Sequence, residues 1–170
     1  ITIPDGTVYT YTLGGGSYET FPLTGGNGSY HLDILENVRD DLYALAFSQD
    51  IEVNISDEFK PFLYPNQYVW FTEDSQAVKL GREISNKSSN DLSYVQNVYH
   101  YVIENIVYDD KKAENIPTDY LPNLDQTLKD KTGICFDYAS LMAAMLRSQS
   151  VPTRLEVGYS GEAYHAWVSV

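Results

Sequence analysis

The apolar residues of this chain change their spacing near residue 73. Before that point, short runs of β-branched and aromatic residues alternate with polar ones between Gly- and Asp-rich turns, which predicts short antiparallel strands. These runs are Thr7–Leu13, Ser17–Phe21, Tyr30–Leu35, Tyr43–Phe47 and Ile51–Ile55. After that point, apolar residues recur every three to four positions, as in helices with one buried face. The chain is therefore predicted to have an α+β fold: a small antiparallel sandwich or curled sheet over residues 1–72, then a second domain over residues 73–170.

The second half is predicted to contain four helices and a final pair of strands. The helices are expected over Glu73–Ser85, from an N-cap at Asp91 to about Ile106, over Leu124–Lys129 with an end at Gly133, and over Cys135–Gln149. The last of these is apolar nearly all round, which is typical of a helix buried in a core. Pro117 and Pro122 oppose a helix, so Tyr108–Pro122 is predicted to be an irregular loop. After Pro152, the segments Leu155–Tyr159 and Tyr164–Val170 alternate like two strands.

Acidic residues outnumber basic ones by 24 to 11, which gives a formal net charge of −13. Such a charge repels the phosphates of nucleic acids and disfavours adhesion to an anionic membrane surface. No apolar run approaches the ~20 residues needed to span a bilayer, and the chain opens at Ile1 in turn-rich sequence. We therefore predict no nucleic-acid partner, and neither a transmembrane segment nor a signal peptide within these 170 residues.

The chain has one cysteine, Cys135, and three histidines that lie far apart in sequence, His31, His100 and His165. A single cysteine excludes an internal disulfide and a Cys-based structural zinc site. The spread of the histidines gives no local cluster of metal ligands, so we expect no metal. A cysteine nucleophile requires no organic cofactor either. The cysteine is then either a small buried hydrophobic residue or a nucleophile.

Cys135 falls at the start of the predicted buried helix, directly after a turn that Gly133 permits. Unpaired backbone N–H groups and the positive end of the helix dipole stabilise a thiolate there, and the backbone N–H of the cysteine can donate to an oxyanion. His165 follows on a predicted strand whose alternation gives it one face with Trp167 and Ser169. A thiol and an imidazole are the pair needed for thiol acyl transfer. A buried structural cysteine and a core histidine explain the same spacing, so both interpretations stay open at this point.

Five short segments occur in an order and spacing that resemble the transglutaminase-like superfamily. They are Gly133–Ala139, Leu146–Arg147, Val151–Arg154, Gly158–Tyr159 and His165–Val168. Ile106–Asp109 and Thr127–Leu128 are similar to the approach to the nucleophile in that family, and the resemblance covers about Leu92 to Val170. In the first half, Pro61–Leu63 and Pro65–Tyr68 are similar to the accessory β-domain of bacterial, often surface-attached members.

The resemblance implies a papain-like core from residue 73, with helices packed on an antiparallel sheet. It implies that Cys135 is the nucleophile and that His165 is the general acid/base. The third residue of the family's triad, an Asp, is expected beyond Val170, because no Asp or Asn follows His165 here, and the core is expected to be incomplete at that end. Asp137 is expected to point away from the sulfur in a solvated or capping role. Tyr108 is expected to pack against its neighbours or to line a substrate groove.

The function that the resemblance implies is thiol-dependent acyl transfer at peptide or side-chain amides of a peptide or protein substrate. An acyl-thioester forms, and then water releases the acid, as in a peptidase or deamidase, or an amine takes the acyl group, as in cross-linking. The sequence does not separate these two outcomes, and for a family member that looks bacterial we slightly favour hydrolysis. The alternative is a non-catalytic module that binds peptides or cell wall on the same fold. An extracellular or cell-surface location is expected, and no oligomeric state is predicted.

Overall fold

The computed structural model describes residues 1–14, 18–117 and 119–170. These residues divide into two compact units. The first comprises Pro22–Pro61 and the described part of Ile1–Tyr18, and the second comprises Glu19–Phe21 and Phe62–Val170. The mixed α+β class predicted from the change in spacing is confirmed, with an antiparallel β-hairpin first and the helices after it.

The first unit is built on one long hairpin. Strand β1 (Gly28–Arg39) pairs antiparallel with strand β2 (Leu42–Val53), and Asp40, at φ 51°, lies in the turn between them. The pairing is interrupted by a bulge after Ile34, where Ala46 has no partner. The predicted turn near residue 40 is therefore confirmed. Among the described residues this unit is a hairpin with isolated bridges, rather than the sandwich or curled sheet that was expected.

Several strand predictions in this unit differ from the structure. The runs Tyr43–Phe47 and Ile51–Ile55 lie largely on one continuous strand, β2, because the polar residues between them have cross-strand partners. Ser48 donates to Asp33, and Asp50 bonds His31, so a polar stretch typical of a turn is held in the ladder. The run Thr7–Leu13 forms only a single bridge, between Val8 and Thr2. In the run Ser17–Phe21, the first residue lies outside the described residues, and 18–21 have no regular structure.

The second unit contains the helices. They are α1 (Gln76–Ser85), α2 (Asp91–Asn105), α3 (Asp110–Glu114), α4 (Leu124–Asp130) and α5 (Cys135–Ser148). Two-residue strands β3 (Val107–Tyr108) and β4 (Thr132–Gly133) pair in parallel, and β5 (Arg154–Ser160) and β6 (Ala163–Ser169) form an antiparallel hairpin. Four helices and the final pair of strands were predicted at these places. The short helix α3, inside the expected loop, was not.

The capping residues of two helices, α2 and α4, differ from the predicted ones. The N-cap of α2 is Asn90 and not Asp91: the Asn90 side chain accepts the N–H of Ser93 at 2.9 Å, and Ser93 Oγ accepts the N–H of Asn90 at 3.1 Å. Helix α4 ends at Asp130, and its C-cap is Lys131, which has a left-handed φ of 55° and lies two residues before Gly133, the predicted stop.

Helix α5 is the centre of the core. Its residues Leu141, Ala143, Ala144, Met145 and Leu146 are fully buried, against α1 and α2 on one side and the β5–β6 hairpin on another. The Tyr94 hydroxyl, on α2, donates to the Met145 carbonyl at 2.7 Å. The prediction of a helix buried nearly all round is confirmed.

The segment 62–72 is bonded to α5. Arg147, buried near the end of α5, donates to the carbonyl oxygens of Thr153 and Tyr64, each at 2.9 Å, and Ser140 Oγ donates to the Tyr68 carbonyl at 2.8 Å. Burial lowers the pKa of Arg147 to about 10, which leaves it cationic at neutral pH. The domain boundary between residues 72 and 73 stays a prediction.

Candidate active site

Cys135 is the first residue of α5 and a free, half-buried thiol. Two parallel strands lead into it: β4 ends at Gly133, which pairs with Tyr108 of β3. Gly133 is buried, and a Cβ added there would lie 2.8 Å from Cβ of Asp137, closer than packing allows. The start of α5 therefore needs glycine at this position for lack of space, rather than for a turn.

Tyr108 lies against the cysteine. Burial is the main cause that raises the pKa of Tyr108, and the neighbouring Cys135 raises it further, because a phenolate beside a thiolate is disfavoured. The Tyr108 ring meets the Tyr138 ring edge-on, with centroids 6.1 Å apart, and the Tyr138 hydroxyl donates to the Ile106 carbonyl. Tyr108 thus combines the packing role that was expected with a contact to the candidate nucleophile.

Asp137, two residues after the cysteine, has no exposed side-chain surface. Its Oδ2 accepts the N–H of Ile134 at 2.9 Å, which caps α5, and also accepts Lys112 Nζ at 2.7 Å. Its Oδ1 accepts the Tyr120 hydroxyl, and Lys112 Nζ lies 2.6 Å from that hydroxyl oxygen. Of the two expected roles, the capping role is confirmed and the solvated role is wrong, because Lys112 of α3 and Tyr120 of the following loop cover the carboxylate.

Lys112 and Tyr120 were missed by sequence reasoning. Both lie in the segment 108–122, which has no helical or strand periodicity to show the direction of a side chain. The position of Asp137 in the first turn of α5 is the one sequence signal that a capping acid lies there. That signal does not show which basic residue pairs with Asp137, because Lys112 lies 25 residues earlier in the sequence.

His165 lies on β6, directly opposite Gly158 on β5, and its side chain is exposed. It shares a face with Trp167 and Ser169, as alternation predicts, while Ala166 between them is buried. Strand β6 packs against α5, so the two predicted site residues lie on elements in contact. No hydrogen bond joins the His165 imidazole to a described residue, and its approach to Cys135 stays a prediction.

Two further findings concern all of the described residues: one is about metal ligands and the other about membrane-spanning helices. Across the described ranges, no group of three His, Cys, Asp or Glu side chains is arranged to hold a metal ion. None of the helices in the described residues has the length and apolar character required to cross a bilayer.

Residues 78–170, more than half of the chain, match the family model of the transglutaminase-like superfamily. The chain belongs to this superfamily. The match runs from α1 through β6, so it includes Cys135, Asp137 and His165, and it begins earlier than the resemblance seen in the sequence. Among curated proteins, the UPF0252 protein MJ1282 of Methanocaldococcus jannaschii is 30% identical over 96 residues, which cover 49% of this chain and 27% of that protein.

Two solved structures are similar to parts of this superfamily member. A proposed cysteine protease from Cytophaga hutchinsonii superposes with a TM-score of 0.51 and 24% identity, over 67% of this chain and 38% of that one. A proposed protease from Parabacteroides distasonis has a TM-score of 0.43 and 16% identity, over 79% and 31% of the two chains. The first likeness supports the fold. The chain spans 27% of the archaeal relative and 38% of the Cytophaga protein. It is the family match over residues 78–170 that supports a thiol-dependent enzyme, and it does so at the level of the superfamily.

Proposed function

We propose that this chain carries the nucleophile of an enzyme that transfers acyl groups from peptide or side-chain amides through a thioester. The observation that supports this proposal is Cys135 itself, a half-buried free thiol that begins a helix within the residues matched to the superfamily. Backbone N–H groups at a helix start, together with the helix dipole, favour a thiolate over a thiol.

The proposed reaction has two steps. Cys135 Sγ attacks the amide carbonyl carbon, its proton passes to the His165 imidazole, and the backbone N–H of Cys135 donates to the developing oxyanion. The tetrahedral intermediate collapses when its C–N bond breaks and His165 returns the proton to the leaving amine. Water then attacks the thioester carbon and gives a proton to His165. The C–S bond breaks, His165 returns that proton to the sulfur, and the acid and the free thiol are released.

We favour hydrolysis over transfer to an amine. The likeness to the Cytophaga cysteine protease supports this choice. An amine would enter the same thioester and form a new amide without any change in the residues used. The substrate is thus proposed to be a peptide or protein amide, and the extracellular or cell-surface location is kept as part of the proposal.

The test is amide hydrolysis by the full-length protein with a panel of peptides, followed as released ammonia and as new N-termini. Cys135→Ser is expected to lose about 10³-fold or more in rate, and His165→Ala about 10²–10⁴-fold. His100→Ala is the matched control, because His100 is exposed on α2 outside the candidate site, and it should keep full activity.

Alkylation of Cys135 separates the enzyme from a binding module. Iodoacetamide labelling of the Cys135 peptide, read by mass spectrometry, should reach its plateau rate below pH 7. A rate that rises only through pH ~8.5, the value for a free thiol, together with no turnover of any peptide, would reject the proposal and favour the non-catalytic module.

A further inference from the structure

The first turn of α5 carries two groups that can be negatively charged, the Cys135 thiol and the Asp137 carboxylate. Cys135 begins the helix, and the carboxylate of Asp137 turns back to accept the N–H of Ile134, the residue directly before the cysteine. A carboxylate disfavours ionisation of a nearby thiol, because like charges repel, and it does so most strongly when it is shielded from water. The helix dipole supplies only about half a positive charge to offset both groups.

Lys112 supplies a full positive charge to this turn. Its Nζ lies 2.7 Å from Asp137 Oδ2, and its side chain is 31% exposed while that of Asp137 is fully buried. Burial alone would lower the pKa of Lys112, but its hydrogen bonds to Asp137 and Tyr120 outweigh this effect and raise it. The ammonium is therefore charged throughout the neutral pH range.

The position of Lys112 is fixed by the strand pair that leads to the cysteine. Asp109 Oδ1 accepts the backbone N–H of Lys112 at 3.0 Å and caps α3. The backbone N–H of Asp109 in turn donates to the carbonyl of Gly133 on β4 at 2.9 Å. These two hydrogen bonds connect the start of α3 to Gly133, which lies two residues before Cys135.

The described titratable groups around this turn belong to several elements. They are Tyr108 on β3, Asp109 at the start of α3, Asp110 and Lys112 on α3, Tyr120 in the following loop, and Asp137 and Tyr138 on α5; His165 lies on β6, a strand that packs against α5. Of these described groups, only Lys112 is a permanent cation at neutral pH.

We propose that Lys112 is a positioning residue whose ammonium neutralises Asp137, so that the first turn of α5 can hold Cys135 as a thiolate. The inference rests on the proposed function, since it assigns Lys112 a part in preparing the nucleophile. Asp137 then keeps its capping bond to Ile134 at no electrostatic cost to the cysteine. Tyr120 donates to the same carboxylate and excludes water from it.

The test uses two substitutions that are expected to act in opposite directions. The measured quantity is the pH at which the rate of Cys135 alkylation reaches half its plateau. Lys112→Gln leaves the Asp137 carboxylate uncompensated and is expected to raise this midpoint by about one pH unit. Asp137→Asn removes the carboxylate but leaves the ammonium, and is expected to lower the midpoint by a similar amount. The double variant should return close to the wild-type midpoint.

Two controls separate this role from a general effect of charge or stability. Lys111→Gln removes one charge from the neighbouring residue of α3, whose side chain has no part in the Asp137 cluster, and should leave the midpoint unchanged. Lys112→Arg keeps the charge and should keep most of the wild-type behaviour. A purely structural ion pair predicts lower thermal stability in both single variants and no opposite movement of the midpoints.

The inference is overturned if Lys112→Gln and Asp137→Asn move the midpoint in the same direction, or if Lys112→Gln moves it no further than Lys111→Gln. If Lys112→Gln does not fold, an unchanged or raised midpoint in Asp137→Asn alone overturns it. Because alkylation needs no substrate, the result is independent of turnover. If the two substitutions move the alkylation midpoint in opposite directions but the protein hydrolyses no peptide, the proposed enzyme activity is rejected and the role of Lys112 is kept. If the protein is active but both substitutions move the midpoint in the same direction, the activity is kept and the role of Lys112 is rejected.

Discussion

At the scale of single residues, Gly133 and Asp137 constrain each other. The carboxylate of Asp137 reaches back to the N–H of Ile134 and fills the space where a side chain on residue 133 would lie. The φ angle of Gly133 is not in the left-handed region, so its role is purely one of space. The same carboxylate binds Lys112, so a small change at residue 133 acts on a buried ion pair.

We expect Gly133→Ala to destabilise the protein by about 1–3 kcal/mol, because the added methyl group must displace Asp137 from its cap and from Lys112. Urea unfolding followed by circular dichroism measures this change as a lower midpoint at an unchanged slope. The matched control is Gly158→Ala, where the new Cβ would lie 3.4 Å from the Trp167 ring, an ordinary contact. Equal losses in the two variants would contradict the steric role of residue 133.

At the scale of elements, the β1–β2 hairpin is held on one face by a cluster of polar side chains. His31 Nδ1 lies 2.6 Å from Asp50 Oδ1, and His31 Nε2 lies 3.1 Å from Asp33 Oδ1. Ser48 Oγ donates to that same Asp33 oxygen at 2.8 Å. The pKa of His31 is raised, mainly by its hydrogen bond to Asp50 and then by the charge of Asp33. The pKa of Asp33 is lowered, mainly by the hydrogen bond from the Ser48 hydroxyl and then by the charge of His31.

These shifts predict a pH window for the hairpin. A histidine with a raised folded pKa stabilises the hairpin fully below its unfolded pKa of ~6.5, and this contribution is lost as pH rises through the folded value. Asp33 contributes above its unfolded pKa of ~3.9 and loses this contribution as pH falls through its lower folded value. Amide exchange of β1 and β2, corrected for intrinsic rates, should therefore be slowest between about pH 4 and 6.5.

The bond between His31 and Asp50 is tested by substitution within the hairpin. In Asp50→Asn, the NMR titration midpoint of the His31 ring should fall, because its strongest partner no longer carries a charge. Asp40→Asn makes the same charge change in the β1–β2 turn and should leave that midpoint where it was. A fall of equal size in both variants would mean that His31 responds to general charge and not to Asp50.

The sequence predicted elements well where burial sets the pattern. Helix α5 is apolar nearly all round, and β5 and β6 alternate, so their places followed from composition and period. The merger of two predicted strands into β2 did not follow, because His31 and Asp33 supply partners for its polar residues from across the hairpin. Within the site, Cys135 and its helix start were predictable. Lys112 was not, because an ion pair between two helices that are distant in sequence leaves no local pattern.

At the scale of the whole molecule, the formal net charge of −13 acts on any charged substrate. A field of this sign slows the approach of acidic peptides and speeds that of basic ones, and salt screens both effects. We expect kcat/KM at low ionic strength to be higher for basic and neutral peptides than for acidic ones of matched sequence. The difference should shrink as ionic strength rises to about 1 M. Equal values at low salt would show that the charge of the chain does not steer its substrate.

The hydrogen bonds between α5 and segment 62–72 determine how long this segment is exposed during synthesis of the chain. Arg147 and the Tyr64 carbonyl are separated by 83 residues, and a ribosome adds about 5–20 residues per second. Residues 62–72 therefore wait roughly 4–17 s for the helix that will cover them. During that time Val69 and Phe71, which are buried in the finished core, are exposed on a nascent chain. This interval is when a chaperone would bind the segment, and when a slow codon between residues 72 and 147 would lengthen the exposure.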